Sequence, residues 1–344
     1  MLSFRLLRPD DRLKGFCLRV PVRPLGKEPI HDLAEAAFLD DAEHPLVVAR
    51  EDRLLVFTAS GFSTVDDAAS WLPRMVAGLW CVALRFNLAF KSEFSLREVT
   101  RASDPAASAL NVRRSIGLEV DGPLSGTVEA DATCIFASHE TLLLIGMGEA
   151  TAHVSNGTRQ VIPFLRRGMA SAVAPALTAD ERFRTAMDLY LSHFYEVSQQ
   201  ARLLTLVMTL EVLAPVTSRH PTCVQMLRKW ILQVDDVLKG PASEDEEDAL
   251  RALRNELAFK SETSIRRRIE SLVRETLAHD GVLADAMVRE VKAVYAARST
   301  LAHKGVLPIE DLAKTQATAL RLVQHVLAAR MGLPDLFEIA VEAV

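Results

Sequence analysis

The sequence lacks most of what would place it outside the cell or in a membrane. Its four cysteines, Cys17, Cys81, Cys134 and Cys223, are scattered over 344 residues and form no CxxC pair. That argues against a disulfide framework or a zinc ribbon and reads as a reduced intracellular chain with buried thiols. No long apolar run is free of charge: the most hydrophobic stretch, Trp71 to Phe90, carries Pro73, Arg74 and Arg85. It is expected to be a buried helix of a soluble protein, not a membrane span. The first residues, Met1 to Asp10, hold no apolar run of signal-peptide length. The chain is therefore expected to be cytoplasmic. It also lacks a basic surplus: 40 Lys and Arg stand against 45 Asp and Glu, a formal charge of −5. A protein that coats nucleic acid non-specifically relies on positive charge, so that class is disfavoured.

Signatures of the common cofactor and hydrolase sites are missing too. Gly146-Met-Gly148 lacks the third glycine of a dinucleotide loop, and there is no Walker A lysine, Gly-x-Ser-x-Gly elbow or His-Glu-x-x-His helix. His220-Pro-Thr-Cys223 offers two metal-capable side chains without a second pair nearby. No cofactor and no metal site is expected.

What the chain does have is a large apolar content, 49%, on a length that suits two domains. Up to about residue 170, short apolar runs alternate with turn signals. Leu46–Ala49 and Leu54–Thr58 flank a charged turn; Cys134–Ala137 and Leu142–Ile145 are joined by Ser138-His-Glu-Thr; Ala152-His-Val precedes the hairpin dipeptide Asn156-Gly157. Thr64 followed by Asp66 and Asp67 predicts a capped helix start. From about Pro175 the period becomes helical. Phe183, Met187, Tyr190, Leu191, Phe194 and Val197 form one stripe. Leu203 to Ala214 is apolar nearly all round and should be a central helix stopped at Pro215. Further helices are expected near 222–238, 246–260, 263–279, 284–302 and 309–331. The expected organisation is an α+β domain at 1–172 and an all-α helical bundle at 176–344, neither of them basic. The hexapeptide Leu-Ala-Phe-Lys-Ser-Glu occurs at both 88–93 and 257–262, but nothing else repeats at that offset and coincidence is the simpler reading.

One segment carries chemistry: Val291-Lys-Ala-Val-Tyr-Ala-Ala-Arg-Ser-Thr-Leu-Ala-His-Lys-Gly305. In a helix, Met287, Val291, Val294 and Leu301 share a buried face, and Arg298 falls inside that stripe. A permanently charged guanidinium among apolar neighbours requires a carboxylate, an interface or an anionic ligand. Glu211, alone in its apolar helix, is one plausible partner. Gly305 is a natural helix stop. Positions five apart on a helix differ by about 140° in azimuth. Arg298 and His303 would therefore converge only if the helix ended near Ala302 or if two copies of it met.

Arg298-Ser-Thr-Leu-Ala-His303 resembles the Arg-(polar)-x-x-x-His signature of HEPN domains. The following Lys304-Gly305 is similar to the ApeA-like HEPN branch. Leu203 to Leu213, with its embedded Glu211, resembles an early helix of that branch. The resemblance covers roughly residues 178–331. It implies a dimer in which the Arg and His of both protomers line one cleft and cut RNA without a metal. His303 would be the general acid/base and Arg298 the holder of the scissile phosphate, with Ser299 hydrogen-bonding phosphate or a partner. Glu211 and Tyr295 would support the site, and Lys304 would touch RNA backbone. Antiviral defence or toxin-like growth arrest is the implied setting, with a trigger or regulator acting at the first domain.

The competing reading is a non-catalytic HEPN-like RNA-binding or scaffold protein, with Arg298 in a plain ion pair and His303 at the surface. Arg266-Arg-Arg268 with Arg274 could follow a phosphate backbone. The more economical reading is a solvated helix face balanced by Glu262, Glu270 and Glu275.

Overall fold

A computed structural model describes residues 2–10, 12–25, 37–39, 44–51, 54–90, 94–147, 158–196, 198–241, 243–305 and 307–338. The expected strand at Ala152-His-Val and the Asn156-Gly157 hairpin lie outside the described residues. The chain divides into two compact units, Met1–Tyr195 with Leu327–Val344, and Glu196–Val326.

The first unit is α+β. Its strands are β1 (Leu2–Leu7), β2 (Phe16–Val22), β3 (Pro24–Leu25), β4 (Ala37–Leu39), β5 (Leu46–Glu51), β6 (Leu54–Phe62), β7 (Ala89–Phe90), β8 (Thr100–Arg101), β9 (Gly126–Glu129), β10 (Cys134–Ala137) and β11 (Leu142–Met147). One sheet runs β10-β2-β6-β5-β4, all antiparallel. A second runs β1-β11-β9-β8, where only β11 and β9 are parallel. β3 pairs with β7. The strands expected at Leu46 and Leu54 are the antiparallel neighbours β5 and β6. Those expected at Cys134 and Leu142 are β10 and β11, which the connecting turn sends into different sheets. Side chains alternate accordingly. Cys17, Cys134 and Phe136 from one sheet meet Val128, Leu142 and Leu144 from the other in a shared core. Leu143 points the opposite way, toward Ala109 of α2 (Pro105–Ile116).

Arg19 crosses that core. It is fully buried, and its guanidinium donates to Glu51 Oε2 at 2.8 Å and to the carbonyls of Ala130 and Ala132 at 2.9 and 3.3 Å. The charge is thus paired and hydrogen-bonded, the condition under which burial of an arginine is tolerated.

Helix α1 (Val65–Phe86) starts as its sequence predicts, with Thr64 Oγ1 accepting from the Asp67 amide at 3.0 Å. Its apolar side covers β2, β6 and β10, and α3 (Thr158–Met169) packs along it. Glycines allow the close approach. A Cβ on Gly168 would lie 2.5 Å from Cys81 Cβ and 2.6 Å from the Ala77 carbonyl, and one on Gly78 would lie 2.7 Å from the Leu165 carbonyl. Helix α4 (Ala174–Ala179) also packs on α1, and α5 (Glu181–Ser192) follows it. The compact division therefore falls some twenty residues beyond the change of sequence texture. The stripe expected to reach Val197 ends earlier: α5 stops at Ser192, and Val197 lies outside the described residues.

The second unit is helical: α6 (Gln199–Leu213), α7 (Pro221–Val237), α8 (Glu244–Phe259), α9 (Ile265–Thr276) and α10 (Gly281–Lys304), joined by the part of α11 (Ile309–Arg330) up to Val326. Each lies within a few residues of its expected span. α9 packs on α10 and α6, and α10 on α6. Leu206 and Leu210 of α6, Leu272 and Val273 of α9, Val291 and Val294 of α10, and Leu322 and Val323 of α11 are all buried. The repeated hexapeptide adopts unrelated structures: Ala89-Phe90 is a strand, whereas Leu257–Phe259 ends a helix. Among the described residues, no helix is long and apolar enough to cross a membrane.

Candidate active site

The site is assembled from two helices of the second unit. α6 begins at Ser198, whose hydroxyl accepts from the Ala201 amide, and stops at Ala214 before Pro215. Its inward residues Leu203, Leu206, Val207 and Leu210 are buried, and Glu211 follows them half-buried. α10 is capped by Asp280, which accepts from the Leu283 amide at 3.0 Å. Met287, Val291, Val294 and Leu301 form its buried face as expected. Arg298 sits in that stripe, and its Nη2 lies 3.4 Å from Glu211 Oε1, with side-chain exposures of 30% and 18%.

The pair is an ion contact, not an aligned hydrogen bond: Glu211 Oε1 is sealed from solvent with no hydrogen-bond partner. The guanidinium carbon also lies 5.8 Å from the ring centre of Tyr295, within cation–π reach. Arg298 thus touches a carboxylate and an aromatic face. Among the described residues no hydrogen bond engages the Arg298 guanidinium, which leaves donors available to an anion.

His303 lies elsewhere on the same helix. α10 does not end near Ala302. It runs through Lys304, and Gly305 takes the left-handed conformation (φ 75°) with its amide bonded to the Leu301 carbonyl at 2.9 Å. An unbroken helix keeps His303 about 140° from Arg298 in azimuth. His303 and Lys304 are both exposed. Among the described residues, no hydrogen bond or ion pair holds the His303 ring. Ser299 is half-buried next to Arg298. The fold thus brings Glu211, Tyr295 and Arg298 together and leaves His303 and Lys304 on a different face.

Arg268 has a role that the sequence reading missed. It is not part of a freely solvated run: its guanidinium donates to the carbonyls of Ala214 and Pro215, both at 2.9 Å. Those carbonyls stand at the C-terminal end of α6, so α9 fixes the helix that carries Glu211. Pro215 was the available signal, since a helix stopped there leaves carbonyls in need of donors. Arg266 and Arg268 also face Glu270 and Glu262 at 3.5 and 3.6 Å. This engagement weighs against a phosphate track.

His220, the other metal-capable residue, caps α7 through its Nδ1. Among the described residues, no three His, Cys, Asp or Glu side chains gather as metal ligands would. In the first unit, a mostly apolar cleft of about 570 Å³ is lined by Leu72, Val76, Trp80, Phe94, Thr178 and Arg184, among others.

No family model, curated protein or solved structure matches this chain. The class the fold defines is therefore architectural: an α+β unit followed by a helical unit that holds a half-buried Arg–Glu pair.

Proposed function

We propose that the protein is a metal-independent endoribonuclease of the HEPN type, acting as a homodimer in which Arg298 of one protomer works with His303 of the other. The observation that carries this is the guanidinium of Arg298 inside the apolar stripe of α10, at the arginine of the Arg298–His303 signature. Arg298 is held half-buried by Glu211 with donors to spare, while His303 is exposed and unengaged about 140° away. Neither the helix nor its cap lets one chain close the pair, so this reading requires a second copy to supply the complement.

In such a cleft, the His303 imidazole takes the proton of a ribose 2′-hydroxyl. The 2′-oxygen then bonds to phosphorus, and the bond from phosphorus to the 5′-oxygen breaks. That oxygen leaves with a proton from an imidazolium, giving a 2′,3′-cyclic phosphate. Arg298 binds the phosphate and offsets the charge gathering on it, with Ser299 and Lys304 as further donors. Glu211 and Tyr295 aim the guanidinium. The first unit, with its cleft of small-ligand size, would carry the regulator, in a protein that acts in antiviral defence or toxin-like arrest.

The second reading, a non-catalytic RNA-binding or scaffold protein, fits the disposition seen in one chain: Glu211 already neutralises Arg298, and His303 is at the surface. Cleavage assays in EDTA separate the two. The nuclease should cut RNA to cyclic-phosphate ends, and His303→Ala and Arg298→Ala should each reduce the rate at least a hundredfold while staying folded. RNA left intact by the wild type, with and without candidate activators, would favour the scaffold.

A further inference from the structure

Helices α7 and α8 form an excursion from the helical unit that is closed at its base. Ser218 pairs with Glu262 in an antiparallel bridge; the Arg219 amide bonds to Ser261 O and the Thr263 amide to Thr217 O, at 3.0 and 2.8 Å. Beyond this clip the two helices pack chiefly on each other, helped by Arg254 Nε on Asp235 at 2.6 Å. α7 buries only Leu227 and Val234.

The next stripe round α7 reads Cys223, Met226, Trp230, Gln233 and Val237, and every one is exposed. Met226, Trp230 and Val237 are 48%, 45% and 57% accessible. Spacings of three, four, three and four are those of a coiled-coil seam, and leaving Met, Trp and Val in one wet row is costly. α8 and its Asp235 contact lie well round the helix from this row, so the row is open.

We infer that this seam is a homodimer contact in which α7 pairs antiparallel with α7 of a second copy. The seam is complementary to itself under a two-fold axis. Setting Trp230 against Gln233 of the second copy places Met226 against Val237, and the indole N–H then has a side-chain amide to bond. The same register brings Lys229 opposite Asp236 on the flank that faces away from α8. Asp236 holds Lys239 at 2.8 Å, but both side chains are about three-quarters exposed, and such a pair exchanges at little cost. Cys223 falls opposite Gly240, beyond the end of α7, so the contact rests on the other four positions. The inference goes beyond the ribonuclease reading and does not depend on it.

Sedimentation velocity on the full chain over a wide concentration range tests it. Four seam positions find a partner in this register, a small contact, so the wild type should show a reversible, concentration-dependent doubling of its mass. Trp230→Glu and Met226→Lys should abolish this doubling with unchanged helical circular dichroism, and should leave a dimer made through α10 intact. Lys229→Asp and Asp236→Lys should each weaken the dimer several-fold, and the two together should restore it. A wild type whose mass does not change with concentration, or a doubling that Trp230→Glu and the charge swaps leave unchanged, overturns the inference. The site of the ribonuclease reading is made through α10, so Trp230→Glu should keep any cleavage activity while losing the α7 contact, and failure of one reading is distinguishable from failure of the other.

Discussion

Arg298 and the four cysteines show what burial does to single side chains. A guanidinium cannot lose its charge, so in the α10 stripe it must find a partner, and Glu211 meets that demand from 87 residues away in sequence. A thiol can lose its charge, and burial simply makes it unreactive. Burial pushes Cys17 and Cys81 up to about 12 and Cys134 to about 11. Cys223 departs from the expectation that all four thiols are buried: it is exposed, on the open row of α7. A thiol-specific reagent at neutral pH should therefore modify one cysteine quickly in the native protein and all four after unfolding. Cys223→Ser should abolish the fast reaction. Rapid labelling of two or more native thiols would contradict the described core.

At the scale of elements, the α1–α3 crossing rests on two glycines that admit no side chain. Gly168→Ala places a methyl against Cys81 Cβ and the Ala77 carbonyl. One of these obstacles is backbone and cannot rotate away. Alanine's gain in helix propensity, about 1 kcal/mol, should be outweighed, for a net loss of about 1–3 kcal/mol by chemical denaturation. A stabilised Gly168→Ala would show that the helices do not approach so closely. The helices were the legible part of this chain. Leu206, Leu210, Val291 and Val294 recur at the helical period, and Thr64, Pro215 and Gly305 mark ends by local chemistry that needs no distant partner. Strand β2 was illegible because Arg19 and Pro21 break its apolar run. The first is paired with Glu51, and the second lies beyond the stretch, Phe16 to Arg19, where β10 pairs. The division of β10 and β11 between sheets depends on distant strands, and the turn Ser138–Thr141 does not reveal it. The Arg298–Glu211 pair could be inferred from charge in an apolar stripe. The carbonyl caps of Arg268 and the exposure of the α7 row depend on tertiary packing that local sequence does not encode.

At the scale of the molecule, the formal charge of −5 and the absence of a basic unit fit a protein that does not hold bulk RNA tightly. Any RNA site must be small and local, with Arg298 and Ser299 adjacent on α10 and Lys304 on a different face of it. The central claim is that Arg298 and His303 act across protomers. Subunit mixing tests it most directly: cleavage of a labelled RNA in EDTA by an equimolar mixture of Arg298→Ala and His303→Ala chains, compared with each alone. A heterodimer keeps one intact Arg298 and one intact His303 on different protomers. The account predicts that each variant alone is inactive and that the mixture regains a substantial part of the wild-type rate. An active wild type whose inactive variants stay inactive when mixed would contradict it.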